Sequence, residues 1–240
     1  MTYSTASSVN GRPLLVTFSG LDGSGKSTQI ENLRVFLEAQ GLRTRVLTFW
    51  DNVVVLAPLR EGFVHTVLGS ERGIGNPGRP VNRRDKNVRA WYLTAMRHIL
   101  YLLDAASARW VLWRNRGTDV IILDRYLYDQ VVNLPLASSF TAGFIRFLTR
   151  LAPTPDIAYL LDADPDAARA RKPEYPVDFL QKARMSYYRL AAMLRNLTLV
   201  PPLPVEPACR AVEGAFLQFA QGAVRTAVAQ PELPKPELSA

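Results

Sequence analysis

Cysteine is almost missing. Cys209 is alone among 240 residues, so no internal disulfide can form and the fold must be held by its core. Histidine occurs only at positions 65 and 98, which leaves no His/Cys set for a transition-metal centre. No apolar run reaches the roughly eighteen residues needed to span a bilayer, so a membrane partner is not expected. The opening stretch "MTYSTASSVNGRP" is polar and lacks the apolar core of a secretory leader; residues 1–12 are expected to form a disordered lead-in. These absences together suit a reducing, cytoplasmic setting.

Lysine is scarce too: five Lys stand against 24 Arg, with a net charge of +8. Guanidinium forks pair two phosphate oxygens at once, so an arginine excess suits a site that holds several phosphates; genomic base composition explains it equally well. No run of basic residues interleaved with aromatics occurs, which weakens a nucleic-acid partner. The closest stretch, "RPVNRRDKNVR" (79–89), also reads as a solvated helix entrance.

What the chain does have is alternation of buried strands and helices, the pattern of an α/β fold with a mostly parallel sheet of about five strands flanked by helices. Leu14 to Phe18 reads as a strand, followed by a helix to about Gln40 that Gly41 stops. "RTRVLTFW" is a second strand. Residues 51–82 loosen into a Gly- and Pro-rich loop. From Arg84 to Arg116 there is neither Gly nor Pro. There Tyr92, Met96, Ile99, Leu103, Ala106, Trp110 and Trp113 recur at helical spacing, which predicts one long helix with that stripe in the core. "TDVIILD" and "PDIAYLLD" are further strands and "LTLV" a fifth. Helices are expected over about 177–196 and in "EPACRAVEGAFLQFAQGAVRTAVA". The main domain should therefore cover 13–229, with residues 230–240 a loose Pro-rich tail.

Between the first strand and helix stands "GLDGSGKST", a G-x-x-x-x-G-K-[ST] loop. Glycines at 20, 23 and 25 let successive amides point into one concavity, and the helix that follows adds its positive end. Gly20, Gly23, Ser24, Gly25, Lys26, Ser27 and Thr28 are accordingly expected to bind the phosphates of ATP. Lys26 would reach the terminal phosphates and the Ser27 hydroxyl a Mg²⁺ ion. Phosphoryl transfer also needs an acid near the metal and cations around the moving group, all at the carboxyl ends of strands. Asp124 ends the third strand and suits the metal side, although it would serve equally as a helix cap. Arg125 follows it, facing the same crevice. The loop's variable positions, Leu21, Asp22, Gly23 and Ser24, carry no cation. Positive charge must therefore come from elsewhere, and Arg169 and Arg171 in "RARK" are best placed, on a segment (about 165–178) where Pro173 and Pro176 suit a lid.

"SGLDGSGKSTQ", "VIILDRY", "PDIAYLLDADPDAARAR" and "EYPVDFLQKARMSYYRLA" together resemble the thymidylate kinases, in order and at the expected separations, from residue 13 to about 200. The resemblance implies a P-loop kinase fold with a lid, and transfer of the γ-phosphoryl group of ATP, with Mg²⁺, to a nucleoside monophosphate such as dTMP. It also suggests a homodimer. By position it places Arg125 and Tyr126 on the acceptor, Arg97 at the acceptor base, Asp22 near the acceptor sugar and metal, and Arg169 and Arg171 as lid arginines. Lys26, Arg125, Arg169 and Arg171 are thus the expected catalytic set.

Departures cluster on the acceptor side. "FWDNVVVLAP" follows the second strand where the family carries a "REPGG"-like stretch, and "LYDQVVNL" follows Asp-Arg-Tyr where it continues with Ser, Ala and Tyr-Gln. Leu93 stands where an aromatic is usual, and Ser19, not Glu, precedes the loop glycine. Two alternatives stay open: a nucleoside or other small-molecule kinase with Asp51 as general base, and a non-catalytic nucleotide-binding module.

Overall fold

The structure, a computed structural model, describes residues 12–56, 91–194 and 196–229. Five strands, β1 (Leu14–Gly20), β2 (Thr44–Thr48), β3 (Val120–Asp124), β4 (Ile157–Leu161) and β5 (Leu197–Val200), form one all-parallel sheet in the order β2-β3-β1-β4-β5. Seven α-helices are described: α1 (Lys26–Ala39), α2 (Trp91–Arg114), α3 (Leu127–Val131), α4 (Ser139–Leu151), α5 (Pro165–Arg171), α6 (Val177–Leu194) and α7 (Val205–Ala229).

Every residue of β1 is buried, as expected of a central parallel strand covered on both faces. Alternation along the strands sorts side chains into two cores. Leu14, Val16 and Phe18 meet Leu33 and Leu37 of α1 and Val212 and Phe216 of α7. On the opposite face Leu15, Ile121, Leu123 and Leu160 meet α2, α3, α4 and α6 through Ala105, Leu127, Ile145 and Leu190. The chain leaves β1 toward the β3 side and later crosses to the β4 side, so the loops diverge at the carboxyl end of β1. That divergence is where open α/β sheets hold ligands. Phe18 aligns with Asp124 and Gly20 with Leu161, which brings the phosphate loop beside the Asp124–Arg125 turn.

The expected core stripe of the long helix faces outward instead. Met96, Ile99, Leu103, Trp110 and Trp113 are 41% to 58% exposed, and Ala106 is exposed as well. The buried side of α2 is the opposite one, with Asp104, Ala105, Ala108, Val111 and Asn115. Small residues at 105 and 108 let the helix approach closely, and a helix that is apolar on both sides does not reveal by periodicity which side packs. Arg114 and Arg116 cover part of the outward face, their guanidinium carbons 5.3 and 5.8 Å from the ring centres of Trp110 and Trp113.

β2 ends at Thr48, and Phe49–Val53 form a single π-helical turn where the sequence pattern extends the strand to Trp50. Helices α3 and α4, between Tyr126 and Ala152, are not among the elements read from the sequence. Arg12, grouped with the lead-in by the sequence, makes a two-pronged ion pair with Asp156 at 2.8 Å for both bonds. Residues 1–11, the loop over 57–82, the start of the long helix at 84–90 and the tail lie outside the described residues. Among the described residues no helix is long and apolar enough to cross a membrane.

Within α1, Leu33 is fully buried whereas Val35 is 52% exposed. Leu33→Ala should lower the urea-unfolding free energy by about 2–5 kcal/mol, while Val35→Ala should change it by no more than about 0.5 kcal/mol. Equal effects would show that α1 packs on another face.

Candidate functional site

The phosphate loop turns through two glycines that no other residue could replace without displacing backbone. Gly20 has φ +140° and Gly23 φ +82°; a Cβ would stand 2.3 Å from the Leu161 carbonyl oxygen at the first and 2.4 Å from that of Ala168 at the second. The second contact seats α5 directly on the loop. Lys26 opens α1 and is buried, its Nζ donating to the carbonyls of Gly20 (2.9 Å) and Leu21 (2.6 Å). Burial, reinforced by the nearby Arg125 charge, lowers its pKa to about 8 against the pull of Asp129, Asp22 and Asp124. Ser27 and Thr28 follow on the first turn with exposed side chains.

Beneath the loop lies Asp129 on α3, a carboxylate whose side chain is 1% exposed. Its Oδ2 accepts from the Ser19 hydroxyl (2.6 Å) and the Tyr126 amide (3.1 Å). Its Oδ1 accepts from the Tyr187 hydroxyl of α6 (2.8 Å), the Gly20 amide (3.4 Å) and Arg125 Nη1 (3.4 Å). Two of the departures seen in the sequence, Ser19 before the loop glycine and Asp129 after Asp-Arg-Tyr, are thus bonded to each other.

Arg125 caps the end of β3 with φ +71°, a left-handed conformation rare for a residue with a side chain. Its amide donates to Phe18 O at 2.9 Å, tying the turn to β1. The guanidinium is hydrogen-bonded to Asp22 of the loop. Burial works against its charge, but Asp129 and Asp22 outweigh that and raise its pKa. Burial would likewise raise Asp22, yet Arg125, Lys26 and Lys172 hold it below the usual carboxylate range. Lys172, at the foot of α5, lies 3.8 Å from Asp22 and 3.2 Å from Glu174. Asp124 is half-buried beside this group. Its Oδ1 is buried with no hydrogen-bond partner, and burial raises its pKa in spite of Lys26 and Arg125.

Of the two arginines expected on a lid, Arg171 lies near the loop: its Nη1 is 3.9 Å from where a Gly25 Cβ would be, and its Nε donates to Ala167 O at 3.2 Å. Arg169, two residues earlier and so about 200° around the helix, cannot share that direction. Tyr126 does not line the crevice. It is 1% exposed, its hydroxyl is donated to the Pro153 carbonyl, and burial lifts its pKa well above normal. Asp51 sits exposed on the π-turn after β2, at the same carboxyl end of the sheet but one strand beyond Asp124. Arg97 is half-buried on α2. Four and seven residues along the same side of that helix, the Tyr101 hydroxyl donates to Gln130 O (3.4 Å), and Asp104 accepts from the Val55 amide and the Gln130 side chain (2.8 Å each). Among the described residues no group of three or more His, Cys, Asp or Glu converges as a metal site.

No family model matches the chain. Individual relatives do. A thymidylate kinase of Bifidobacterium longum subsp. infantis is 33% identical over 196 residues, covering 76% of each chain. The thymidylate kinase of Bifidobacterium longum strain DJO10A is 33% identical over 76% of this chain and 86% of its own. A protein named probable thymidylate kinase in Methanosphaera stadtmanae is 23% identical over 80% of this chain and 91% of its own. The chain belongs to the thymidylate kinase family. It is a nucleotide kinase of that type, with the parallel sheet and phosphate loop the family resemblance implies.

Asp129, Tyr187 and Lys172 were missed as site residues. Tyr187 lies inside a stretch that carries the family resemblance, Lys172 closes the "RARK" run, and Asp129 lies within the departing stretch "LYDQVVNL". A further missed group joins α6 to the end of β4: Arg184 makes two bonds to Asp162 (2.7 and 2.5 Å), and the Tyr188 hydroxyl donates a third (2.5 Å). Burial alone would raise Asp162; the Arg184 and Tyr188 hydrogen bonds outweigh it and leave the pKa lowered. A folded-state pKa below the unfolded one stabilises the protein above the ordinary carboxylate value, near 3.9, and is lost as pH falls through the folded value. Asp162→Asn should therefore lower Tm most at neutral pH, with the gap to the wild type narrowing below about pH 4. A gap independent of pH would mean that the charge is not what holds α6.

Proposed function

We propose that this chain is a cytoplasmic enzyme that transfers the γ-phosphoryl group of ATP to a nucleoside monophosphate, with dTMP as the acceptor the relatives' names favour. The observation that carries this reading is Arg125, held in a left-handed turn at the end of β3 with its guanidinium against the carboxylate of the phosphate loop. A cation fixed there is placed to grip an anionic acceptor. In the transfer, an acceptor phosphate oxygen bonds to the γ-phosphorus as the bond to the β,γ-bridging oxygen breaks, and ADP leaves. The attacking oxygen is already anionic, so no general base is required; positioning and charge neutralisation carry the catalysis.

In this reading the amides of residues 23–28 and Lys26 hold the β- and γ-phosphates, Arg171 neutralises the moving group, and Arg125 and Arg97 hold the acceptor. Residues 165–178 act as a lid, with Arg169 on its other side. Asp22 keeps Arg125 and Lys172 together at the loop. The orphaned Oδ1 of Asp124 and the Ser27 hydroxyl fit a Mg²⁺ ion, which takes one or two protein oxygens and completes its shell with phosphates and water. Bound there, Mg²⁺ would offset the charge of the phosphate oxygens.

A panel of acceptors read by ADP release tests the assignment. dTMP should stimulate turnover and thymidine should not; Lys26→Ala should abolish it, and Arg171→Ala should lower kcat by about 10³-fold or more with ATP affinity kept. Stimulation by thymidine alone, lost in Asp51→Asn, would replace this reading with a nucleoside kinase using Asp51 as base. ATP binding with no acceptor-stimulated turnover would leave a nucleotide-binding module.

We infer that the partner of the exposed α2 stripe is a second copy of the chain. The stripe keeps one spacing from Met96 to Trp113, along about 25 Å of helix, and is apolar throughout, so two copies related by a two-fold axis cover each other's stripe with the same residues. Light scattering should give twice the 26.8 kDa chain mass, falling to the single-chain mass for Trp110→Glu/Trp113→Glu. A wild type that stays single-chain at tens of micromolar would refute the pairing.

A further inference from the structure

Asp129 is shut off from solvent beneath the crevice, yet it joins each part that the crevice needs. Its Oδ2 holds the end of β1 through Ser19 and the amide of Tyr126, the residue after Arg125. Its Oδ1 receives the Tyr187 hydroxyl from α6, the amide of Gly20 in the phosphate loop, and Arg125 Nη1. Tyr187 is buried, and Gly20 O lies 3.3 Å from its hydroxyl, sharing in the one proton given to Asp129 and closing a ring of contacts around one glycine. Arg125 is thus gripped at both ends of its fork, Nη2 by Asp22 on the loop and Nη1 by Asp129 beneath it. A planar guanidinium fixed at two nitrogens loses its freedom to swing, and its backbone is already pinned by the amide bond to Phe18 O.

We propose that Asp129 is a positioning residue for phosphoryl transfer: it aims Arg125 at the acceptor phosphate and locks the Gly20 end of the donor loop to the same point, setting the separation of donor and acceptor. The proposal rests on the reading of Arg125 as the acceptor's anchor. An uncharged or shorter side chain at 129 leaves Ser19, Tyr187 and the Tyr126 amide competing for fewer lone pairs and lets the Arg125 fork rotate about its remaining bond to Asp22. Misplacement of a reacting group by about 1 Å can cost about 10²-fold in rate.

The test compares wild type, Asp129→Asn, Asp129→Ser, Ser19→Glu, Tyr187→Phe and the exchange Ser19→Glu/Asp129→Ser, each with its Tm, with dTMP and ATP as substrates. Asp129→Asn should raise the acceptor KM by about tenfold and cut kcat/KM for the acceptor by about 10²-fold, with the ATP KM moving less than about threefold. Tyr187→Phe removes one donor while keeping the packing, and should move the same acceptor parameters in the same direction by a smaller factor. The exchange returns a carboxylate to the same buried place from the other end of the 2.6 Å bond, and should recover at least about tenfold of the Asp129→Ser loss, a non-additivity expected only of groups in contact. A purely structural role would lower kcat with the folded fraction and leave both KM values in place, and that result overturns the proposal. So does a Tyr187→Phe enzyme with unchanged acceptor kinetics, which decides the matter even if Asp129→Asn fails to fold. A wild type inert with every nucleoside monophosphate would overturn the function reading and this one with it; an active wild type whose variants keep the acceptor KM overturns this one alone.

Discussion

A carboxylate shut away from water must be met by protein donors, because an unpaired buried charge costs several kcal/mol. Asp129 is met from three directions: the end of β1, the turn that carries Arg125, and helix α6. The sheet pairs the end of β1 with the end of β3, but it does not fix helix α6 or the α3 segment relative to them. One buried charge ties their ends together where the parallel strands run out and backbone pairing can no longer do it. The left-handed backbone at Arg125 depends on this support, since such conformations cost about 1–3 kcal/mol and persist only where neighbours over-determine them.

Above that anchor the site is a balanced cluster rather than a bare cationic pocket. Lys26, Arg125 and Lys172 converge on the phosphate loop, and Asp22 stands among them. Three cations at this spacing would repel one another strongly in a partly dry crevice. The loop acid offsets that repulsion, and incoming phosphates would compete with it for the same cations. Contact between Gly23 and Ala168 adds a geometric limit, because α5 rests on the loop main chain to main chain.

How much of this is visible in the sequence depends on how local its cause is. β1, the glycine loop and α1 are legible because glycine spacing and a helical period act within about twenty residues. β3 and β4 are legible as buried runs, and β5 as a short apolar one. The orientation of α2 is not: its 96–113 stripe is the more apolar of the two, yet the side with Asp104, Ala105, Ala108, Val111 and Asn115 turns inward, because its small residues allow close packing. Asp129 is illegible for a related reason, because its partners lie 110 and 58 residues away in the chain. Tyr126 errs in the opposite sense. It follows Arg125 directly, but a residue next to a site residue points elsewhere, and its hydroxyl is taken by Pro153. Asp124 is legible as the end of a buried strand, because the four apolar residues before it announce where the strand stops.

The conformation at position 125 also bears on any attempt to make this protein sturdier. At φ +71° glycine would fit without strain, but it would strip Asp22 and Asp129 of the guanidinium they share. Breaking a buried ion pair costs about 3–5 kcal/mol, more than the roughly 1–3 kcal/mol of backbone strain that glycine would relieve. An engineer who repaired this turn by its dihedral angle alone would weaken fold and site together.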